Sequence, residues 1–173
     1  MKQLSALFVI LFGFYACENK INFDSEEDPI KVNWHDREVT IAKSDSLFTS
    51  GHSYLSVYSQ IYSYSQHKTY NLTAMVSLRN VSMKDTVYLT HADYYDTHGT
   101  LLKSYIKNTV YLAPLETVEI VIDEADISGG TGSNFLFDWK VLKDTPEPLF
   151  EGVMTSTAGQ QGLSFITQAK RIY

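Results

Sequence analysis

From Ser53 to Tyr173 apolar and polar residues alternate in steps of two, and no window longer than a turn or two repeats at the helical spacing. Leu72, Ala74, Val76 and Leu78 interleave with Thr73, Met75, Ser77 and Arg79, so one set lies on each face of a half-buried strand. Leu55, Val57 and Ile61 on one side, with Tyr54, Ser56, Tyr58, Gln60 and Tyr62 on the other, predict a first strand running on to Tyr62. Val87 to Tyr95 and Leu101 to Ile106 flank Asp96-Thr97-His98-Gly99, which has Asp at the first and Gly at the fourth position of a type I turn and predicts a hairpin. Further strands follow at Val110 and Leu112, at Val118 to Ile122, at Phe135 to Val141 with the most aromatic inward face, at Phe150 to Thr157 and at Leu163 to Ala169. The breaks between them are Pro114, the run Ser128-Gly129-Gly130-Thr131-Gly132-Ser133, and Pro146 with Pro148. Twelve Tyr and nine Phe against two Trp, with sparse helix formers, favour strands too. The expected fold is all-β: one antiparallel two-sheet β-sandwich, immunoglobulin-like and Greek-key in connection, with a small β-barrel as the alternative.

The N-terminus is of another kind. Lys2 precedes an apolar run from Leu4 to Ala16, too short to span a bilayer comfortably, and the only cysteine, Cys17, follows at once. Residues 1–16 therefore read as a secretory signal, and Ala16-Cys17 resembles the lipobox of bacterial lipoproteins, although Phe14 stands where leucine is usual and bulky Tyr15 precedes Ala16. The resemblance implies acylation of Cys17 and a chain anchored to a membrane of the bacterial cell envelope; an ordinary cleaved signal is the alternative. Residues 17–50 are polar and acidic with scattered apolar side chains and read as a tether, leaving 51–173 as the folded domain. Val39 and Ile41, alternating with Thr40, are candidates to begin a strand there.

Charge and cysteine content exclude several functions. The formal net charge is −6, and cleavage before Cys17 would make it one unit more negative. With no Lys or Arg run to displace counterions, nucleic acid is not an expected partner. A single cysteine permits neither an intramolecular disulfide nor a thiolate metal cage. His91, Asp93, Asp96 and His98 form the densest group of chemically capable side chains. They offer nitrogen and oxygen ligands for a metal or groups for hydrolysis, but their spacing fits no metal signature. The Gly-Gly-Thr-Gly loop lacks the lysine and following helix of a phosphate cradle and reads as a tight β-connection, with Ser128 and Asn134 as candidate ligand contacts. Asp123, Glu124 and Asp126, considered as glycosidase carboxylates, read as a solvated turn. Tyr54, Tyr58 and Tyr62 fall on one face of the predicted first strand, which is either an aromatic surface suited to recognising protein or glycan or a face covered by the second sheet or the tether. No cofactor is expected, and a non-enzymatic binding or structural module is favoured over a metal-binding or hydrolytic protein.

Five ordered motifs carry a family resemblance. Tyr58-Ser59-Gln60-Ile61-Tyr62, Asn71-Leu72-Thr73-Ala74 running to Leu78-Arg79-Asn80, Asp93-Tyr94-Tyr95-Asp96-Thr97 with Gly99, Ser128 to Phe135, and Gln161-Gly162-Leu163-Ser164-Phe165 together resemble the bacterial domain-of-unknown-function family three-one-two-four. The likeness spans about Tyr54 to the end. It implies a bacterial envelope domain and supplies no activity.

Overall fold

The structure is a computed structural model that describes residues 32–157 and 162–173, so the signal segment, Cys17 and the first part of the tether lie outside the described residues. In chain order the strands are β1 (Phe48–Ser56), β2 (Gln60–Ser63), β3 (Ser65–Asn71), β4 (Thr73–Arg79), β5 (Val87–Tyr95), β6 (Leu101–Ile106), β7 (Val110–Leu112), β8 (Thr117–Ile122), β9 (Asn134–Leu142), β10 (Leu149–Ser156), β11 (Leu163–Gln168) and β12 (Lys170–Arg171). A large sheet runs β12-β1-β9-β5-β6, with β7 pairing the first part of β5 while β6 pairs its last part. A smaller sheet runs β11-β10-β4-β8, and β2 and β3 form a separate hairpin. All pairings are antiparallel and neither sheet closes on itself, so the sandwich holds and the barrel alternative falls.

The alternation explains the layering. On β9, Phe135, Phe137, Trp139 and Val141 are buried while Leu136, Asp138 and Lys140 turn outward. On β4, Ala74, Val76 and Leu78 face inward and complete the core with Val118, Ile120 and Ile122 of β8. Four rings link the two layers. Tyr94 stacks on Phe135 at 4.8 Å, Phe135 on Phe137 at 5.5 Å, and Phe137 on Phe150 of the opposite sheet at 4.3 Å between centroids. The predicted β5–β6 hairpin forms, and Asp96 caps its turn: its Oδ1 accepts the N–H groups of His98 and Thr100, each at 2.8 Å. Gly99 supplies the positive φ of 80° that closes it.

Two expectations change. The first strand ends at Ser56 rather than Tyr62, because Val57 and Ser59 turn into the interior and hydrogen-bond to other segments. The chain then forms β2 and β3, joined through Tyr64 in the left-handed region at φ 59°. From Val32 onward the expected tether lies against the domain. Val32 and Trp34 pack on the core, Val39 N–H donates to Thr109 O at 2.9 Å, and β1 already begins at Phe48. Val39 and Ile41 form no strand; beside the Val39 bond, Glu38 makes an isolated bridge to Val110.

The same segment is held by an ion pair, Arg37 Nη2 to Glu116 Oε1 at 2.7 Å, and Glu116 Oε2 accepts Ala113 N–H at 2.7 Å. The hydrogen bond from Arg37, helped by the Ala113 amide, holds the Glu116 carboxyl below its ordinary range. A carboxyl depressed in the folded state contributes stability that is complete above the unfolded value, near ~4.3, and is lost as pH falls through the lower folded value. Glu116→Gln is therefore expected to cost up to about 1 kcal/mol at neutral pH and to flatten the acid limb of the stability curve. Melting temperatures measured from pH 7 to pH 3 check this. An acid limb as steep as in the parent chain would assign the acid sensitivity to other carboxylates.

Candidate functional site

The outward positions of the large sheet bring together residues that are far apart in sequence. His52 on β1 and His91 on β5 each lie directly across from Asp138 on β9. Asp138 Oδ1 is 2.6 Å from His52 Nδ1, and Asp138 Oδ2 is 3.2 Å from His91 Nδ1. One carboxylate thus orients two imidazoles. With Nδ1 engaged, each ring turns its Nε2 edge away from Asp138 toward incoming groups. Both imidazoles are about half exposed. Tyr54, paired with Leu136, adds a partly exposed ring in the next row, and Leu136 is in turn opposite Asp93. Ser56, Asn134 and Tyr95 form the row beyond. The ring of Tyr173 stands edge-on to His52 at 5.9 Å and is 80% exposed. Burial first, and the charges of Asp93 and Asp138 second, hold the Tyr95 hydroxyl above its ordinary pKa, so it stays a donor through neutral pH.

A polar groove of about 630 Å³ borders this face, between the docked segment Glu38 to Ile41, the sheet positions Thr90 and Lys140, and Lys107 in the bend after β6. Lys140 is tied to Asp45 at 3.0 Å. Chemically the surface offers imidazole, phenol, carboxylate, amide and ammonium groups on a rigid sheet. That set can recognise hydroxyls, amides and aromatic faces.

The predicted residues separate. Of the three predicted tyrosines, Tyr54 alone is on this face. Tyr58 packs on the core with its ring at 5.8 Å from Phe165, and Tyr62 stands 62% exposed on the β2–β3 hairpin, so the single tyrosine face predicted over Tyr54, Tyr58 and Tyr62 is corrected by the turn after Ser56. Asn134 joins the face; Ser128 does not, its Oγ donating to Asp126 Oδ1 at 2.6 Å. Of the group His91, Asp93, Asp96 and His98, the first two lie on the sheet, whereas Asp96 caps the turn and His98 is exposed at its tip. Among the described residues no three His, Cys, Asp or Glu side chains converge to hold a metal ion, which corrects the metal reading of His91, Asp93 and His98. Asp123 and Asp126 accept local N–H groups of Ala125 and Ser128, as solvated turn residues do. His52 and Asp138 were missed. Their signal is modest: Asp138 is the one acid among the aromatic residues of β9, and His52 follows Gly51 at an outward position.

The glycine loop has a structural task. Gly130 O accepts the N–H groups of Ser59 and Gln60 at 3.1 and 3.0 Å, and Thr97 Oγ1 donates to Gly129 O and accepts from Gly132 N–H. Gly130 N–H is spent on Ile127 O, so amides that a phosphate cradle needs are already engaged. Beneath the loop Tyr94 Oη lies 2.9 Å from Ser59 Oγ and 3.4 Å from Ser133 Oγ, and Ser133 Oγ donates to Val57 O. Three of the ordered motifs, Tyr58 to Tyr62, Asp93 to Gly99 and Ser128 to Phe135, therefore meet at one buried node. A fourth motif ends at Asn80, whose Nδ2 donates to the carbonyls of Asp85, Leu112 and Ala113 and whose Oδ1 accepts Ser82 N–H. These four motifs mark packing and chain reversals, and they reach the outer face only at Asp93, Tyr95 and Asn134.

No curated protein matches the chain. Among solved structures, the crystal structure of Thermotoga maritima 1070 is similar at 7% identity and a TM-score of 0.44, covering 69% of this chain and 92% of that one, a likeness too distant to carry an argument. The family model described as protein of unknown function (DUF3124) matches residues 50–172, which takes in the two-sheet sandwich apart from the first two residues of β1, together with the node beneath its glycine loop, and the chain belongs to that family.

Proposed function

We propose that the chain is a bacterial envelope lipoprotein, anchored through acylated Cys17, whose sandwich is a non-enzymatic binding module for protein or glycan. The observation that carries the binding reading is the outer face of the large sheet, where Tyr54 and the two imidazoles held by Asp138 are exposed together on rigid strands, with the exposed ring of Tyr173 against His52. Preset aromatic and hydrogen-bonding groups lose little side-chain freedom on binding, which favours recognition. The anchor reading rests on the lipobox-like Ala16-Cys17. No observation favours the hydrolytic reading, because its four residues divide between the sheet and the turn.

Arrayed bacterial glycans and envelope proteins test the module with the full chain. A ligand selected in this way is expected to lose at least tenfold in affinity with Tyr54→Ala or His91→Ala and to be indifferent to Tyr62→Ala. A ligand unaffected by changes at Tyr54, His52 and His91 would overturn the assignment of this face. Acyl labelling checks the anchor separately: Cys17→Ala is expected to abolish labelling and release the chain from membranes.

A further inference from the structure

The small sheet ends on β8, and this edge differs from the others. β8 pairs with β4 without a register break from Thr117 opposite Arg79 to Ile122 opposite Ala74, and it contains no Pro, Gly, Lys or Arg. Edge strands ordinarily carry such residues, or bulges, to prevent another strand from adding. The other edges do, or are covered: β6 breaks register twice against β5 and carries Lys103, the three-residue β7 beside it is bridged at Val110 by Glu38, and β12 is two residues long, both basic. The fourth edge, β11, adjoins residues 158–161, outside the described residues. An apolar row also crosses the outer face of the small sheet and ends at β8: Ile166, Val153, Met75 and Val121 are paired in register, and Val121 is 49% exposed.

The charge along this edge selects the partner. Glu119 points outward on β8, Asp123 and Glu124 follow at its exit, and among the described residues none of the three pairs with a cation. A second copy of the chain would bring the same acids and a net charge of −6 against them. We propose that β8 is a docking edge for an extended basic segment of another protein, which adds to the small sheet as a fifth strand. Its apolar side chains alternate toward the core edge, beside Val118, Ile120 and Ile122, and its Lys or Arg side chains lie beside Glu119 and Asp123. Backbone hydrogen bonds supply affinity in this mode of recognition, and the alternating side chains supply selectivity.

Amide hydrogen exchange of the full chain tests this with an acetylated octapeptide alternating valine and lysine. Residues 117–122 are expected to exchange at least fivefold more slowly with that peptide. Protection is expected to vanish with Val121→Lys, which places a gatekeeping cation on an exposed position, and with a peptide of equal charge in which two valines are replaced by proline. Three results would overturn the proposal: no protection at 117–122, equal protection by the proline peptide, or protection without peptide accompanied by a dimer in light scattering.

Discussion

Phe137→Ala is expected to destabilise the chain by about 3–5 kcal/mol, the range for removing a fully buried aromatic ring. Phe137 is fully buried midway along β9, flanked in register by Ser53 of β1 and Ala92 of β5. Its ring lies between Phe135, parallel within 5°, and Phe150, which belongs to the other sheet. The ring is therefore a main contact between the layers. Neither sheet can collapse into the void without giving up ladder hydrogen bonds, so the cavity penalty adds to the lost transfer energy. Against a total stability of ~5–15 kcal/mol, the loss is a large share, and the melting temperature should fall by about 10–15 °C. Phe137→Leu keeps most of the volume and should cost about half as much or less. Urea unfolding with an unchanged slope checks both. A cost below about 1 kcal/mol for the alanine variant would mean that the rings are not what holds the sheets together.

The parts of this fold that were legible are those whose information is local. The inward face of β4 follows from two-residue alternation alone, and the turn at Asp96 follows from residue types that supply a carboxylate acceptor and a positive φ at the required places. The β2–β3 hairpin was not legible because its turn uses Tyr64 at φ 59°, without the Gly or Asn that announces such a conformation. In sequence the docked segment from Val32 resembles a tether because its apolar residues have no period; Trp34 and Arg37 find their partners only across the fold, at the core and at Glu116. The candidate site was half legible for the same reason. His91 was singled out with neighbours in sequence, but strands set neighbours by register. Its partner Asp138 and the matching His52 come from β9 and β1, whose alignment no short stretch of sequence specifies.

Gly129→Ala is expected to be nearly as damaging as the loss of a core ring, by the opposite mechanism. A Cβ at this position would fall 1.9 Å from Tyr94 Oη and 2.8 Å from both Cβ and Oγ of Ser133. Tyr94 cannot swing aside easily, because its ring is stacked on Phe135 and its hydroxyl is bonded to Ser59 and Ser133 within the buried node. Overpacking of this kind costs about 1–3 kcal/mol, and displacing a buried hydroxyl from its partners costs about 1–3 kcal/mol more. The node joins the start of β9, the end of β5 and the turn after β1, so the strain should also loosen the glycine loop and the bonds that Gly130 O makes to Ser59 and Gln60. Tyr94→Phe separates the two costs. It removes the one atom that the new methyl group strikes first, at the expense of its own lost hydrogen bonds. Adding Gly129→Ala to Tyr94→Phe should therefore cost at least 1 kcal/mol less than adding it to the parent chain, a coupling that a double-mutant cycle reads directly. Strict additivity would mean that the Tyr94 hydroxyl is not what excludes a side chain at Gly129, and would leave Ser133 as the group that does.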